Sequence, residues 1–334
     1  MIHLLDLISP YKEKKSIPEK VIRNLEGFLQ CYEKVALDNN QDLNEVAKMF
    51  STLLMLMEKH FVAPFQFEPY HKAIRSPLDY YQLGISFIKP LINLEKSTLT
   101  GIKNLREIDE KVKNGENVVL FANHQIEGDP QVFSILLQDN YPNLAEDKIF
   151  VAGERVLTDP LAAPFSMGCN LLCIFSKKYI DNPPEKQHQK TAHNKKTMQL
   201  MSELLKEGGH CIYVAPSGGR DRPGKNGKVE LAEFDPQSIE MFHLMAKRSK
   251  TPTHFYPLSL ATYSILPPPE TRQIELGEQR ITHGGAVHLH FGNEIDMENI
   301  PDSANLDKHG KRKMKAKYIF NLVNKAYKNF TVDY

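Results

Sequence analysis

The sequence has almost no excess of charge of either sign and no long apolar run. Its 334 residues hold 42 Lys and Arg against 41 Asp and Glu, for a net charge of +1. Proteins that bind nucleic acid usually carry a strongly basic domain, so the composition predicts no nucleic-acid partner. The longest nearly uninterrupted apolar stretch is 53–57, far below the ~20 residues that a membrane span needs. We therefore expect a soluble protein that meets any lipid at a membrane surface or on a carrier.

Signals for export and for disulfide bonds are also missing. Residues 1–6 show neither the basic start nor the small-residue cleavage site of a signal peptide. The chain has four cysteines, and the spacing of the closest two is neither C-x-x-C nor that of a usual zinc-ligand pair: Cys31, Cys169, Cys173 and Cys211. We predict that all four are reduced, buried thiols in a cytosol-like compartment.

Several common functional motifs are absent. There is no P-loop and no G-x-G-x-x-G after a predicted strand, so no nucleotide cofactor is indicated. Ser217 does not lie in G-x-S-x-G, so a nucleophile elbow is not supported. His288 and His290 share one face of a predicted strand, but no carboxylate or cysteine completes a metal site. We interpret this pair as part of a half-exposed strand and predict no metal.

The first 75 residues predict a small helical domain. Residues 16–19 have the form of a capping box, and an apolar face then recurs at helical spacing: Val21, Leu25, Phe28, Leu29 and Tyr32. A second helix is predicted to start near Asp42 and Glu45, with a wide apolar face: Val46, Met49, Phe50, Leu53, Leu56 and Met57. Prolines at 64, 69 and 77 interrupt the pattern. We place a domain boundary in 62–77, giving domains 1–75 and 76–334.

The second part of the chain alternates short apolar runs with helical patterns. The predicted strands are 118–121, 149–152, 171–175, 211–214, 253–261 and 286–292, and the predicted helices are 189–207, stopped by Gly208-Gly209, and a basic amphipathic helix at 306–329. Such alternation is typical of an α/β domain with a mixed, largely parallel sheet flanked by helices. Ligand sites in these folds lie at the carboxyl ends of the strands, so the functional residues are expected directly after the predicted strands.

A histidine and an aspartate follow the strand that ends at Ala122. His124 and Asp129 stand in Asn123-His124-Gln125-Ile126-Glu127-Gly128-Asp129-Pro130, where Asp129 is placed to cap the helix that Pro130 opens. A carboxylate folded back onto the imidazole would fix its tautomer and leave the other ring nitrogen free to take a proton. The alternative is a plain helix-capping aspartate beside an incidental histidine, because the H-x4-D spacing alone is weak.

Polar segments also follow three other predicted strands. Ser217-Gly218-Gly219-Arg220-Asp221-Arg222 combines glycines that let a backbone approach an anion with two arginines that suit a phosphate. The alternative is a solvated turn with surface arginines. Glu154 and Arg155 follow the strand 149–152, and Lys178 and Tyr179 follow 171–175. Their repeated position after successive strands is the informative feature.

Taken in order, four segments resemble the acyltransferase motifs of glycerolipid synthesis. They are NHQIEGDP at 123–130, VAGERV at 151–156, VAPSGGRDRP at 214–223 and HFYPLSLATYSILPPP at 254–269. The residues of these motifs are most similar to those of the soluble, plastid-type glycerol-3-phosphate 1-acyltransferases, which also occur in some intracellular bacteria. The resemblance runs over about 76–334, and the N-terminal helices fit the helical domain of the same enzymes. One departure is Lys178-Tyr179, where the plastid enzymes have Lys-His; Tyr179 can hydrogen-bond a phosphate but carries no positive charge.

The resemblance implies a function and a set of roles. His124 would deprotonate the sn-1 hydroxyl of glycerol 3-phosphate for attack on an acyl thioester of acyl-carrier protein or CoA, and Asp129 would hold the imidazole. The phosphate would be bound by Lys178, Arg220 and Arg222. The other substrate-binding candidates are Ser217, Gly218 and Gly219, followed by Tyr179, Glu154 and Arg155. No cofactor is implied, and the compartment would be a bacterial cytoplasm or the plastid stroma. The alternatives are a 1-acylglycerol-3-phosphate acyltransferase and a non-catalytic acyl-carrier or lipid-binding protein.

Two basic runs predict where an acidic carrier protein would dock. One lies near the C-terminus and the other in the helix 189–207 and just before it: Lys311, Arg312, Lys313, Lys315 and Lys317, and Lys186, Lys190, Lys195 and Lys196. Positive charge of this kind steers an acidic partner. The alternative is that both runs are solvated helix faces.

Overall fold

The structure, a computed structural model, describes residues 3–269 and 279–331 apart from the side chain of Lys178. The helices are α1 Ser9–Lys14, α2 Glu19–Asp38, α3 Leu43–Val62, α4 Tyr80–Ile88, α5 Ile102–Lys113, α6 Asp129–Leu137, α7 Pro142–Asp147, α8 Arg155–Thr158, α9 Ala163–Ser166, α10 Gln187–Glu207, α11 Pro236–Ser249 and α12 Lys308–Tyr327. The strands are β1 Tyr70–His71, β2 Thr98–Thr100, β3 Asn117–Ala122, β4 Ile149–Ala152, β5 Asn170–Cys173, β6 Cys211–Val214, β7 Arg222–Pro223, β8 Val229–Glu230, β9 Thr253–Ala261 and β10 His288–Phe291. Short 3-10 helices lie at Leu4–Ile8, Lys89–Leu91, Lys177–Tyr179 and Pro184–Lys186.

The main sheet has eight strands in the order β1-β5-β4-β6-β3-β9-β10-β2. Its central strands β5, β4, β6, β3 and β9 are all parallel, while β1 pairs with β5 and β10 pairs with β9 in the antiparallel sense. β3 is buried along its whole length, as expected of a parallel strand covered on both faces. The predicted mixed, largely parallel α/β fold is confirmed, and five strand ends meet at one edge.

The N-terminal helices form as the apolar spacing predicts, except at their first cap. The predicted inward faces of α2 and α3 are buried, and the Asp42 carboxylate caps α3 by accepting from the Asn44 N–H at 2.8 Å. The predicted capping box at 16–19 is wrong. Helix α2 begins at Glu19 with Pro18 as its N-cap, so Ser16 lies outside the helix and makes no side-chain cap.

Helices α2 and α3 pack on α4 through aromatic rings. Tyr32 and Phe50 lie with ring centroids 5.5 and 5.9 Å from Phe87, and the Tyr32 hydroxyl donates to the Phe87 carbonyl at 2.8 Å. The buried residues of these helices belong to the same hydrophobic cluster as one face of the sheet. The division at 62–77 into two domains stays a prediction.

The cysteines and the two histidines of β10 contact other parts of the fold. Three thiols are buried, but Cys31 is only half-buried, so the prediction of four buried thiols is wrong for Cys31, which lies toward the surface of α2. His288 and His290 lie beside the hydroxyls of Thr98 and Thr100 on β2 at 2.8 and 3.0 Å. Within the described ranges, no cluster of three or more potential metal ligands occurs, and no helix has the length and apolar character needed to cross a membrane.

Candidate active site

The segment that follows β3 is fixed from both neighbouring strands. The Asn123 side chain donates to the Leu260 carbonyl and accepts from the Leu260 N–H, both at 2.9 Å, which ties it to β9. On the other side, the Tyr213 hydroxyl on β6 donates to the Asn123 carbonyl at 2.7 Å. Asn123 is fully buried, so these bonds hold the backbone of the next residue, His124, at the edge of the sheet.

The His124 ring contacts the Asp129 carboxylate, as the motif predicts. His124 Nδ1 lies 2.8 Å from Asp129 Oδ2, and the two side chains are 31% and 1% exposed. The same oxygen accepts the backbone N–H groups of Gln125 and Ile126 at 2.9 and 3.3 Å. This arrangement favours a proton on Nδ1, which leaves Nε2 of the partly exposed ring to accept one from a substrate.

The position of Asp129 in its helix differs from the prediction. It occupies the first turn of α6 rather than the cap, which is Gly128, and it makes no capping bond to the helix. The carboxylate instead points back to the turn 124–126, where it accepts the N–H groups of Gln125 and Ile126. The helix start still places its positive end beside this carboxylate.

The other carboxylate oxygen of Asp129 has a partner that the sequence analysis missed. The Thr262 hydroxyl, directly after β9, donates to Asp129 Oδ1 at 2.6 Å. Gln125 reinforces the contact by accepting the N–H groups of Thr262 and Tyr263 at 2.7 and 3.1 Å. The fourth motif, 254–269, contained this residue, but only the parallel pairing of β3 with β9 shows that its end lies beside Asp129.

The arginine loop is attached directly to the histidine. The Asp221 N–H donates to the His124 carbonyl at 2.6 Å, and the Asp221 carboxylate accepts from the Asn123 amide and the Ala232 N–H, each at 2.9 Å. Burial is the main reason why the pKa of Asp221 is raised to about 6, partly offset by these hydrogen bonds. Asp221 therefore holds its neighbours Arg220 and Arg222 close to the His124 backbone.

The glycine turn before the arginines has the predicted freedom. Gly218 has a φ of +64°, in the left-handed region, and the Ser217 hydroxyl donates to the Gly219 carbonyl at 2.9 Å. Arg222 opens the short strand β7. Arg220 precedes it and lies 3.7 Å from the carboxylate of Glu127, a residue between His124 and Asp129 in the sequence.

The remaining predicted residues lie further along the same edge of the sheet. Glu154 and Arg155 are exposed at the start of α8, after β4, and Tyr179 is 48% exposed in the 3-10 helix after β5. Lys178 lies in the same 3-10 helix, but its side chain is outside the described part of the chain. Since β4 and β5 are two and three strands from β3, roughly 10 and 14 Å at ordinary strand spacing, a contact with the same ligand as His124 needs long side chains.

Helix α10 holds the segment that carries Lys178 and Tyr179. The Lys190 ammonium donates to the carbonyls of Tyr179, at 2.9 Å, and Asn182, and the Thr197 hydroxyl donates to the Cys173 carbonyl at 2.7 Å. Lys190 is buried. Its assignment to a carrier-steering surface is therefore wrong, because the side chain satisfies backbone carbonyls inside the protein.

Comparisons with known proteins identify the family of the chain. A family model described as Acyltransferase matches residues 99–261. The chain is 38% identical over 302 residues to a chloroplastic glycerol-3-phosphate acyltransferase of Cucurbita moschata, covering 89% of this chain and 65% of that protein. It is 35% identical over 332 residues to the chloroplastic enzyme of Spinacia oleracea, covering 96% and 69%. The chain belongs to the family of chloroplastic glycerol-3-phosphate acyltransferases, and it spans about two thirds of the length of these relatives.

One solved structure aligns weakly with the chain. The crystal structure of a 1-acyl-sn-glycerophosphate acyltransferase from Thermotoga maritima aligns with a TM-score of 0.40 and 18% identity, covering 76% of this chain and 79% of that one. This likeness is too low to bear on substrate or mechanism.

Proposed function

We propose that the protein is a glycerol-3-phosphate 1-O-acyltransferase. The Nε2 atom of His124 takes the proton of the sn-1 hydroxyl, and the oxygen attacks the carbonyl carbon of an acyl thioester. The C–S bond breaks, the ester forms, and the proton passes from the imidazolium to the departing thiolate. Asp129 stabilises the imidazolium while it exists. The products are 1-acylglycerol 3-phosphate and a free thiol, and the reaction as proposed uses neither a metal nor a cofactor.

The observation that carries this proposal is the bond between the Asp221 N–H and the His124 carbonyl, at 2.6 Å. It joins a histidine–carboxylate pair to a loop with two arginines, so a base and a cationic surface are held together. Glycerol 3-phosphate is small, with its charge concentrated at one end and a hydroxyl at the other. An acceptor anchored by its phosphate at Arg220 and Arg222 can present that hydroxyl to His124.

The other members of the proposed phosphate site are the backbone of Ser217, Gly218 and Gly219 and the side chain of Lys178. Gly218 in the left-handed region turns neighbouring N–H groups to one side, which suits an anion. Tyr179, Glu154 and Arg155 would line the approach rather than contact the phosphate, since they follow strands further from β3.

The donor would be acyl-carrier protein or acyl-CoA, with peripheral membrane contact when the product leaves. The compartment stays a prediction, either the plastid stroma or a bacterial cytoplasm. The alternative acceptor is 1-acylglycerol 3-phosphate, which carries the same phosphate. A non-catalytic lipid-binding role is disfavoured because binding alone does not need a histidine held by a buried carboxylate.

The test is acyl transfer by the purified chain to labelled glycerol 3-phosphate or to 1-acylglycerol 3-phosphate, from acyl-carrier protein or acyl-CoA. We expect transfer to the sn-1 hydroxyl of glycerol 3-phosphate. Arg220→Ala and Arg222→Ala should each lower kcat/KM for this acceptor by ~30–1000-fold, because a phosphate loses a charged partner. The exposed Arg23→Ala variant, whose partner is Glu19, serves as the control. Transfer only to the monoacyl acceptor would contradict the proposal.

A further inference from the structure

Besides Arg220 and Arg222, a third arginine, Arg280, contacts the site through the carboxylate of Glu127. Arg280 donates through Nε and Nη2 to Glu127 Oε2, at 3.0 and 2.7 Å, although the two residues are 153 positions apart. The other oxygen of Glu127 lies 3.7 Å from Arg220 Nη1. Glu127 is three residues from His124 in the catalytic motif. One carboxylate is therefore shared by two guanidinium groups next to the proposed base.

The two contacts of Glu127 differ in kind. The two short bonds from Arg280 make a close, charge-assisted pair. The 3.7 Å contact with Arg220 is longer than a hydrogen bond, so it is an attraction between charges. Glu127 thus accepts hydrogen bonds from Arg280 and attracts Arg220 through its charge.

The surroundings strengthen this attraction. Arg280 is 12% exposed and lines a mostly apolar cavity with Phe28, Leu161 and Phe165. Burial acts to raise the pKa of Glu127, but the charges of Arg280 and Arg220 and the hydrogen bonds from Arg280 outweigh it, so the pKa is lowered. Glu127 is therefore ionised at neutral pH, and its charge is opposed mainly by Arg280, with Arg220 and His124 also contributing. Arg280 in turn lies 3.7 Å from the carboxylate of Asp159.

We propose that Glu127 and Arg280 are positioning residues for the acceptor phosphate: Glu127 holds the guanidinium of Arg220 in place, and Arg280 takes up enough of the Glu127 charge that Arg220 still attracts the anion. This inference rests on the proposed function, because it assumes that Arg220 binds the phosphate of glycerol 3-phosphate. A guanidinium on a long flexible side chain loses mobility when it binds an anion, and a carboxylate that restrains it beforehand reduces that loss.

The opposite role for Glu127 makes a different prediction. If Glu127 only neutralised Arg220, removing its charge would tighten phosphate binding and lower KM for glycerol 3-phosphate. If it positions Arg220, Glu127→Gln should raise that KM on the order of 10–100-fold, as expected when a binding group is displaced by about an ångström. The KM for the acyl donor should not change, because the proposal places only the acceptor phosphate at this network.

The experiment measures kcat and both KM values for Glu127→Gln, Arg280→Gln and Arg280→Lys, with thermal unfolding of each. Arg280→Gln should also raise the KM for glycerol 3-phosphate, because Arg280 then no longer offsets the charge of Glu127, which weakens the attraction of Arg220 for the phosphate. Arg280→Lys keeps the charge and should recover part of the affinity. Arg75→Gln removes an arginine bonded to Asp79 and Glu146 and is the matched control.

Equal rises in both KM values, as from a loss of structure, would overturn the inference, as would an unchanged or lowered KM for glycerol 3-phosphate in Glu127→Gln. If a glutamine variant fails to fold, Arg280→Lys carries the test. Its KM for glycerol 3-phosphate should be higher than that of wild type while its KM for the acyl donor is unchanged, and a rise in both KM values or in neither would overturn the inference. Failure of the proposed function is a separate result: wild-type protein would then not acylate glycerol 3-phosphate at all.

Discussion

Replacing Asp129 by asparagine removes the charge beside His124 while keeping the shape of the side chain. Two backbone N–H groups, from Gln125 and Ile126, point at the oxygen that also faces His124. An amide nitrogen in that place would meet two donors, so the amide oxygen must occupy it. The amide nitrogen then faces the Thr262 hydroxyl, which can rotate to accept. His124 should therefore keep its orientation and its Nδ1 proton.

The expected loss of kcat in Asp129→Asn is set by the tautomer of His124, which the variant retains. In a serine protease triad, the same exchange lowers kcat by about 10⁴ because the histidine takes the wrong tautomer. Here the tautomer is retained and only the stabilisation of the imidazolium is lost, so we expect a fall in kcat of ~10²–10³, or about 3–4 kcal/mol in the barrier. Asp129→Ala should lose more, and it should also unfold more easily by ~1–3 kcal/mol because buried N–H groups lose their acceptor.

The assay is the initial rate of acyl transfer to glycerol 3-phosphate at saturating substrates, with unfolding by urea measured for each variant. The order wild type, asparagine, alanine supports the reasoning. Equal loss in the asparagine and alanine variants would show that the backbone donors do not fix the amide, and normal turnover in the asparagine variant would show that the charge of Asp129 is not used.

Three further outcomes are expected. Thr262→Val removes a donor to Asp129 and should lower kcat by about tenfold with unchanged KM values, measured by steady-state kinetics. The pKa of Asp221 is raised to about 6 in the folded protein, against an ordinary 3.8, so the folded state binds this proton more tightly than the unfolded state. Proton binding at Asp221 therefore stabilises the fold fully below pH 3.8, and this stabilisation is lost as the pH rises through 6. Asp221→Asn should abolish this slope, worth roughly 3 kcal/mol, in unfolding measured from pH 4 to 8. Reversing the charges of three exposed lysines on α12, Lys311, Lys313 and Lys317, should raise KM for acyl-carrier donors but not for acyl-CoA. The effect should be larger at low salt. Equal effects on both donors would count against docking at this helix.

That carrier test excludes two members of the C-terminal basic run because the structure gives them internal partners. Lys315 is buried and bonds to Glu240 at 2.9 Å and His243 at 2.7 Å, and Arg312 lies 3.6 Å from Glu240. The count of positive charges in the sequence could not separate these from the exposed lysines. Which face of α12 turns inward depends on the helix α11 that it packs against.

The sequence could predict what local patterns determine. Short apolar runs specify buried strands, and residues after a strand end lie near one edge of a parallel sheet, which is why the pairing of His124 with Asp129 was expected. The contacts of Thr262 and Arg280 join residues 133 and 153 positions away in the chain. They depend on strand order and side-chain packing, which no local pattern contains. Asp221 stood in a predicted loop, but burial raises its pKa, and the hydrogen bonds from Asn123 and Ala232 that partly offset this effect exist only in the folded chain.

The most direct test of the account is the turnover of His124→Ala with labelled glycerol 3-phosphate and an acyl thioester, beside His188→Ala, an exposed histidine of α10. The account predicts that loss of the base lowers kcat by ~10²–10⁴, with KM for glycerol 3-phosphate unchanged because the arginine loop is intact. His188→Ala should behave as wild type. Near-normal transfer by a folded His124→Ala protein would contradict the account, because the proton of the acceptor hydroxyl would then leave without His124.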